Sequence, residues 1–290
     1  MLKKRLTAIL VIRDGIVVQS IGFSKYLPVG KAQIAVEFLN SWGIDEIIYL
    51  DISATPKDQG PDFLEIQSVS KKCFVPLVVG GGISSVGDMQ KLVKFGADKI
   101  AINSAALKDP LLIKKGASIL GNQCIVASID VKLDKDKKYS VFSNFGIDIP
   151  EKDPVKWAKT LASLGAGEIL LNCVDRNGSK VGYDINMVRM IVEAVDIPVI
   201  ACGGAGHPQD FVDVMTQGRA NCAAAGNFFH FTEHSVINAK AYLQKKGIDI
   251  RFDTQAHYMD FEFDDGGRIA KRPDRYLAEQ RFKYYPPEII

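Results

Sequence analysis

Short apolar runs alternate with amphipathic segments along most of the chain. The runs are rich in Val and Ile and predict buried strands, while the segments between them have the three- to four-residue spacing of helices with one apolar face. The predicted strands are Leu6–Ile12, Glu46–Ile52, Pro76–Val79, Lys99–Ile102, Cys124–Val131, Glu168–Cys173, Val199–Cys202 and Cys222–Ala225. The predicted helices are Gly30–Trp42, Phe63–Cys73, Val86–Phe95, Leu111–Ile119, Pro154–Leu164, Ile185–Ala194, Phe211–Thr216 and Val236–Lys246.

The second half of this pattern repeats the first. The sequence around Pro76 returns around Pro198, 122 residues later, and at the same offset Gly82 matches Gly204 and Asp88 matches Asp210. Solenoid repeats are much shorter, at about 20–50 residues. The repeat therefore indicates two copies of a half-domain.

Eight strand–helix units with a two-fold internal repeat predict an α/β fold, a single closed (β/α)8 TIM barrel over residues 1–250. From about Arg251 the alternation stops. In this C-terminal extension, residues 251–290, Tyr258–Phe263 is compatible with a strand and Pro273–Tyr284 with a short helix. Its many aromatic residues argue against a solvated tail. We expect the extension to pack on the barrel, and the alternative is a contact surface for another chain.

Composition excludes several classes of protein. A net charge of +2 gives no basis for binding nucleic acid or an acidic membrane surface. The five cysteines have no metal-ligand spacing, which indicates reduced thiols in a cytoplasmic protein with no metal site. No apolar segment has the length of a signal-peptide core or a membrane span. No cofactor is expected.

Residues at the carboxyl ends of the predicted strands are the candidates for an active site, because barrel active sites lie there. Glycines at these ends would let backbone N–H groups approach an anion, although a pair of glycines can also form only a tight turn. We predict two facing phosphate-binding sites for a long substrate with separated anionic groups. The predicted binding residues are Gly81, Gly82, Asn103, Ser104, Gly178, Gly203, Gly204, Gly226 and Asn227.

Three aspartates follow predicted strands and are candidate catalytic groups: Asp51, Asp130 and Asp175. Burial beside apolar residues raises the pKa of a carboxyl group toward neutrality, which suits general acid–base chemistry. An aspartate at such a position can instead cap a helix or bind a loop backbone. For Asp51 both interpretations stay open, and for Asp130 chemistry is favoured.

Several of these segments are similar to the signatures of one family. Residues from Met1 to about Phe252 resemble the cyclase subunit of imidazole glycerol-phosphate synthase, a lyase of histidine biosynthesis. The motifs that carry the resemblance are Val79–Ile83, Ala97–Asn103, Gly165–Leu171, Asp175–Gly178 and Ala201–Gly206. The resemblance implies a glutamine amidotransferase complex, in which a glutaminase docks at the amino end of the barrel near Asp98. Ammonia then travels along the barrel axis to a phosphorylated substrate.

The resemblance also implies an ammonia gate made of Arg5, Glu46, Lys99 and Glu168. These four charges stand at the starts of predicted strands, so they would point into the amino end of the barrel. An unpaired buried charge costs on the order of several kcal/mol, because it loses its hydration. A ring of two positive and two negative groups is the arrangement a barrel interior tolerates, and a gating role explains it better than a structural one.

The catalytic residues depart from the family pattern. Of the family's two catalytic aspartates, the second is Asp130 and the first falls on Val11; the internal repeat likewise sets Val11 opposite Asp130. The family's lysine after the first strand is Gln19, and the second aspartate of its Asp-Arg-Asp-Gly motif is Asn177. Valine cannot transfer a proton, so half of the cyclase chemistry is missing.

This combination resembles a side branch of the family, the proteins associated with glycosyl amidation in O-antigen (lipopolysaccharide) and surface-polysaccharide clusters. Those proteins also have an apolar residue in place of the first aspartate, and the shared segments are Glu65–Gln67, Lys72–Pro76 and Ala223–Phe229. The resemblance implies that the barrel supplies ammonia for converting an acetamido to an acetamidino group, with a sugar-amidating third protein as a further partner.

Three interpretations follow. The favoured one is an ammonia-using synthase subunit that serves sugar amidation. The alternatives are a histidine-pathway cyclase with a rearranged catalytic set, and a non-catalytic scaffold that only activates a glutaminase. Val11 fits the first and third interpretations, while the phosphate-binding residues fit the first and second.

Overall fold

The chain folds into a ring of parallel strands surrounded by helices. The computed structural model describes residues 3–143, 149, 151–252, 254 and 256–279. Its strands are β1 (Arg5–Arg13), β2 (Ile16–Ile21), β3 (Lys25–Gly30), β4 (Glu46–Asp51), β5 (Leu77–Gly80), β6 (Lys99–Ile102), β7 (Ile125–Leu133), β8 (Tyr139–Val141), β9 (Glu168–Cys173), β10 (Val199–Cys202) and β11 (Cys222–Ala225). Its helices are α1 (Ala32–Ser41), α2 (Phe63–Ser70), α3 (Val86–Lys94), α4 (Ser104–Lys108), α5 (Leu111–Leu120), α6 (Pro154–Ser163), α7 (Ile185–Val192), α8 (Pro208–Thr216), α9 (Ser235–Lys245) and α10 (Asp274–Glu279).

Eight of the strands close into a barrel. The order around it is β1-β4-β5-β6-β7-β9-β10-β11, every neighbouring pair is parallel, and β11 pairs back onto β1. The (β/α)8 prediction is therefore confirmed. None of the helices in the described ranges is long and apolar enough to cross a membrane.

The internal repeat reappears as matched helix caps. Ser85 caps α3 in a capping box with Asp88, and 122 residues later His207 caps α8 in a capping box with Asp210. In each box the carboxylate accepts hydrogen bonds from backbone N–H groups at the start of the helix, which would otherwise lack partners. Both helices consequently begin at the carboxyl ends of their strands, beside the glycines that follow β5 and β10.

Two antiparallel hairpins extend strands of the barrel. β1 runs on past the barrel and pairs with β2, which pairs with β3, so the segment between the first predicted strand and the first predicted helix is a hairpin. β7 runs on in the same way and pairs with β8; the sequence predicts this hairpin, because the short segment Tyr139–Phe142 follows a polar, lysine-rich stretch. Asp14-Gly15 is a typical hairpin-turn dipeptide, and Ile16-Val-Val18 is rich in β-branched residues, so a signal for the first hairpin was present.

The C-terminal extension contacts α9, and its Thr254 side chain lies against Gly43 in the loop after α1. Tyr258 is buried and its hydroxyl lies 2.6 Å from His234 Nδ1, while Lys245 Nζ donates to the carbonyl of Phe263. Residues 258–263 form no strand, and Phe263 makes only a single bridge to Ile269. Helix α10 covers the start of the predicted Pro273–Tyr284 helix. The rest of that helix, with Phe282 and Tyr284, lies outside the described residues, and so does Tyr285. The division of the chain at residue 250 stays a prediction.

Candidate active site

A cavity of about 530 Å³ opens at the carboxyl ends of the barrel strands. Its lining includes two of the three candidate aspartates, Asp51 and Asp130, but not Asp175. All predicted phosphate-binding residues also line it: Gly81, Gly82, Asn103, Ser104, Gly178, Gly203, Gly204, Gly226 and Asn227. The sequence-predicted binding residues are thus brought together around one space.

Asp130 is held by two amides on the floor of this cavity. Its Oδ2 accepts from Asn103 Nδ2 at 2.8 Å and its Oδ1 accepts from Asn172 Nδ2 at 3.1 Å. Burial raises the pKa of Asp130 to about 6, although the two hydrogen bonds act in the opposite direction. A carboxyl group with a pKa near neutrality can both give and take a proton at physiological pH, as a general acid or base must.

Val11 faces the same cavity from β1. It lines the cavity together with Leu50 and packs on the apolar interior of the barrel. The geometry therefore agrees with the alignment of the repeat: the β1 position that corresponds to Asp130 carries a hydrocarbon side chain. Asp130 has no acidic partner at that position, and its pKa is raised by desolvation rather than by a neighbouring carboxylate.

Asp51 binds the backbone of a loop, and Asp175 binds the backbone at the end of a strand. Asp51 Oδ1 accepts from the backbone N–H of Ser53 at 2.8 Å and from its hydroxyl at 2.7 Å, which is the loop-binding alternative left open for this residue. Asp175 is exposed, and its Oδ2 accepts from the backbone N–H of Leu133 at 2.6 Å. In this structure the Asp175 carboxylate secures the end of β7 and does not line the cavity, and its catalytic role stays a prediction.

The glycines at the cavity rim are packed against neighbouring loops. Gly82 has φ +67°, and a Cβ there would lie 2.6 Å from the Gln59 carbonyl oxygen; the repeat-related Gly204 has φ +112°, and a Cβ there would overlap the Gly182 carbonyl. Both positions need glycine for the fold itself, whether or not an anion binds. The tight-turn interpretation and the anion-binding interpretation are therefore compatible.

The first hairpin is fastened over the cavity by a polar cluster. Asn227 accepts from the Ser20 backbone N–H at 3.2 Å and donates to its carbonyl at 2.8 Å, while the Ser20 hydroxyl donates to Asn177 at 2.9 Å. The side-chain amide of Asn227, predicted as a phosphate ligand, is thus engaged with the chain itself. An anion at this rim would have to be bound by the backbone N–H groups.

Several cavity residues were missed by sequence reasoning. Asn172 orients Asp130 from β9, and it is an inward-facing polar residue two positions after Leu170 and four after Glu168, so the alternation of the strand carried a signal. The rim also has Tyr26, with the Arg13 guanidinium 4.6 Å from its ring centroid. These rim residues belong to the hairpin, which was not predicted.

Four charged side chains close the other end of the barrel. Each is the first residue of its strand, and the pairs alternate in sign: Arg5–Glu46 at 3.5 Å, Lys99–Glu46 at 2.7 Å, Lys99–Glu168 at 3.1 Å and Arg5–Glu168 at 3.0 Å. Burial alone would lower the pKa of Lys99, but Glu46 and Glu168 outweigh it and raise that pKa. The ring is neutral as a whole, which offsets the cost of removing its charges from water.

An apolar section lies between this ring and the cavity. It begins at Cys222, beside the ring, and reaches Leu50 and Leu170, which line the cavity. Asp98 lies just outside the ring at the amino end, exposed, and its Oδ2 accepts from the Leu77 backbone N–H at 2.8 Å. Asp98 therefore stabilises the start of β5, and this bond leaves its other oxygen available to a partner.

Comparison with known proteins identifies the family. The model of the family described as "Histidine biosynthesis protein" matches residues 5–235. The chain is 41% identical over 252 residues to the imidazole glycerol phosphate synthase subunit HisF of Clostridium botulinum (strain Langeland / NCTC 10281 / Type F), covering 87% of this chain and 100% of the relative. The chain therefore belongs to the histidine biosynthesis protein family. The HisF subunit of Bacillus cereus (strain G9842) is also 41% identical, over 251 residues, with the same coverage.

A third relative extends further along the chain. A protein of Vibrio vulnificus (strain YJ016), provisionally named as imidazole glycerol phosphate synthase subunit hisF2, is 39% identical over 268 residues, 92% of this chain and 98% of the relative. The expected family of enzyme subunits is therefore confirmed. The names of these relatives favour the histidine-pathway alternative over the sugar-amidation interpretation, for which they offer no support.

Proposed function

We propose that this chain is the ammonia-using synthase subunit of a glutamine amidotransferase, fed by a glutaminase at the amino end of the barrel. The observation that carries the proposal is the closed ring of Arg5, Glu46, Lys99 and Glu168 beneath an apolar section that leads to the cavity. Ammonia is small and neutral, so it can cross an apolar section that ions cannot. A purely structural barrel core would be filled more cheaply by apolar layers.

The cavity suits a nucleophilic attack by ammonia on an anionic substrate. Ammonia would arrive beside Asp130, whose pKa of about 6 leaves it mostly ionised at pH 7 and able to accept a proton from the attacking nitrogen. Asn103 and Asn172 would hold the carboxylate in place during that step. The glycine-rich rims on opposite sides would bind separated phosphate groups through backbone N–H donors. Asp98 is the proposed contact for the glutaminase.

The first candidate for the product is imidazole glycerol phosphate. The names of the HisF relatives support it, and they are about 40% identical to nearly all of the barrel. In this case Asp130 would carry out alone the proton transfers that the family divides between two aspartates. Losing one of two such groups typically lowers the rate by about 10²–10⁴-fold.

The second candidate is amidation of a surface-polysaccharide sugar, from acetamido to acetamidino, together with a sugar-amidating third protein. Val11 favours it. The apolar side chain opposite Asp130 lacks the acid–base group that closing the imidazole ring requires, whereas the delivery of ammonia does not need that group. The ring of four charges and the glycine-rich rims of the cavity suit both candidate functions equally. The scaffold interpretation is disfavoured because a scaffold has no use for a cavity with these rims.

One experiment separates the candidates. The chain is purified with its cognate glutaminase and given glutamine, together with either the formimino ribonucleotide substrate of the family or a panel of nucleotide-linked acetamido sugars. Imidazole glycerol phosphate formed at a rate comparable to that of a HisF subunit supports the first candidate. A glutamine-dependent mass change of a sugar supports the second. Glutamine hydrolysis without either product would contradict the proposed synthase activity.

A further inference from the structure

The two glutamates of the ring are held differently. Each presents its Oε1 to both Arg5 and Lys99. Glu46 Oε2 in addition accepts a hydrogen bond from the Thr7 hydroxyl at 3.0 Å. Glu168 Oε2 is buried and has no hydrogen-bond partner among the described residues. The ring is therefore symmetric in its charges and asymmetric in its anchoring.

Thr7 is the first residue above the ring on the inward face of β1. It is fully buried, and its Oγ1 also lies 2.9 Å from Cys222 Sγ on the neighbouring strand β11. An ionised carboxylate can only accept, so the single hydroxyl hydrogen of Thr7 goes to Glu46. The contact with Cys222 must then be an S–H donor to Thr7 oxygen. Burial raises the pKa of Cys222 to about 12, which keeps that thiol protonated.

We propose that Thr7 is a positioning residue that fixes Glu46, so that the ring opens at Glu168. The Cys222 thiol donates to Thr7, and the Thr7 hydroxyl donates to Glu46 Oε2. Because Arg5 and Lys99 hold Oε1, both oxygens of Glu46 are restrained. Glu168 is restrained at one oxygen only. When the contacts of Lys99 and Arg5 to Glu168 loosen, that side chain can rotate, while Glu46 keeps both cations in place.

The anchoring of Glu46 by Thr7 is independent of the proposed function, but its consequence for ammonia passage rests on that function. In the proposed conduit, opening at one corner admits ammonia past Glu168 and keeps a closed barrier elsewhere. If Glu46 were also free, the ring would lose both anchors, and ammonia would escape toward the glutaminase side. A hydrogen bond to a charged group is strong enough for its loss to raise the open fraction about tenfold.

The test compares wild type with two variants. Thr7→Val keeps the shape of the side chain and removes the hydroxyl, whereas Thr7→Ser keeps the hydroxyl and removes only the methyl group. Crystal structures of the three chains show the side chains of Glu46 and Glu168. We expect a second conformation of Glu46 in Thr7→Val only. In the complex with the glutaminase, the product formed per glutamate released should fall severalfold in Thr7→Val and should stay near the wild-type value in Thr7→Ser. Product formation from added ammonium chloride, which enters from the cavity, should be equal in all three.

Two results would overturn the inference. One is a single conformation of Glu46 in Thr7→Val with unchanged product per glutamate. The other is an equal effect of Thr7→Val and Thr7→Ser, which would assign the effect to packing rather than to the hydroxyl. Failure of the proposed function looks different: the wild-type complex then forms no product from glutamine, and the conformations of Glu46 in the crystal structures still decide the role of Thr7.

Discussion

Asp130 should destabilise the folded protein at neutral pH, because its buried carboxyl group is ionised there at a cost in free energy. Its pKa is about 6 in the folded chain and 3.8 ordinarily. At about 1.4 kcal/mol per pKa unit, ionising Asp130 costs about 3 kcal/mol more in the folded than in the unfolded state. Replacing it by Asn, which has the same shape and no charge, removes that cost.

The sign of the pH dependence follows from which state binds the proton more tightly. The folded chain holds the Asp130 proton up to about pH 6 and the unfolded chain only to about pH 4, so between these values raising the pH favours unfolding. Relative to wild type, Asp130→Asn should therefore gain about 3 kcal/mol in free energy of unfolding between pH 4 and pH 7. Above pH 7 the gain should stay constant.

The assay is urea unfolding of wild type and Asp130→Asn at half-unit steps from pH 4 to pH 8. The exposed aspartate in the turn before β8 provides a matched control, and Asp136→Asn should differ from wild type by less than about 0.5 kcal/mol throughout. The same Asp130→Asn variant should lose synthase activity. A stability difference that does not change with pH would refute the raised pKa, and with it the acid–base role derived from burial.

Three further predictions concern the frame around the site. Lys240→Met should cost about 3–5 kcal/mol in urea unfolding, because Lys240 and Asp45 form a fully buried pair at 2.6 Å and the variant leaves the carboxylate unpaired; a loss below about 1 kcal/mol would contradict this. Gly204→Ala should lower the midpoint of thermal unfolding and not only weaken anion binding, since its Cβ would overlap the backbone of the loop after β9; an unchanged midpoint would show that the loop can yield. Tyr258→Phe should cost about 1 kcal/mol through loss of the His234 hydrogen bond, checked by urea unfolding, and no loss would mean that this contact of the extension contributes nothing to stability.

The barrel was predictable because its signals are local and repeated. Each parallel strand is buried on both faces and appears as a continuous apolar run, and the offset between Pro76 and Pro198 shows that the units come in two sets. Strand starts were predictable in the same way, so Arg5, Glu46, Lys99 and Glu168 could be assigned to one end of the barrel.

The parts that could not be predicted depend on contacts between distant residues. Lys240 meets Asp45 across 195 positions of sequence, and neither residue stands out in its own segment. Asp175 follows a strand as a catalytic group would, yet the carboxylate turns to the backbone of Leu133, which only the folded loops reveal. Thr7 looks like an ordinary strand residue until the ring places Glu46 beside its hydroxyl.

The central claim is that ammonia reaches the cavity through the ring rather than through the solvent. The most direct test supplies the reconstituted complex with glutamine labelled with ¹⁵N in the amide group, together with unlabelled ammonium chloride at a concentration that by itself gives little product, and measures the label in the product. Passage through the barrel predicts a product that carries mainly ¹⁵N in wild type, and a diluted label in Lys99→Ala, where the ring loses the cation that bridges Glu46 and Glu168. A wild-type product whose nitrogen matches the bulk ammonium would contradict the claim.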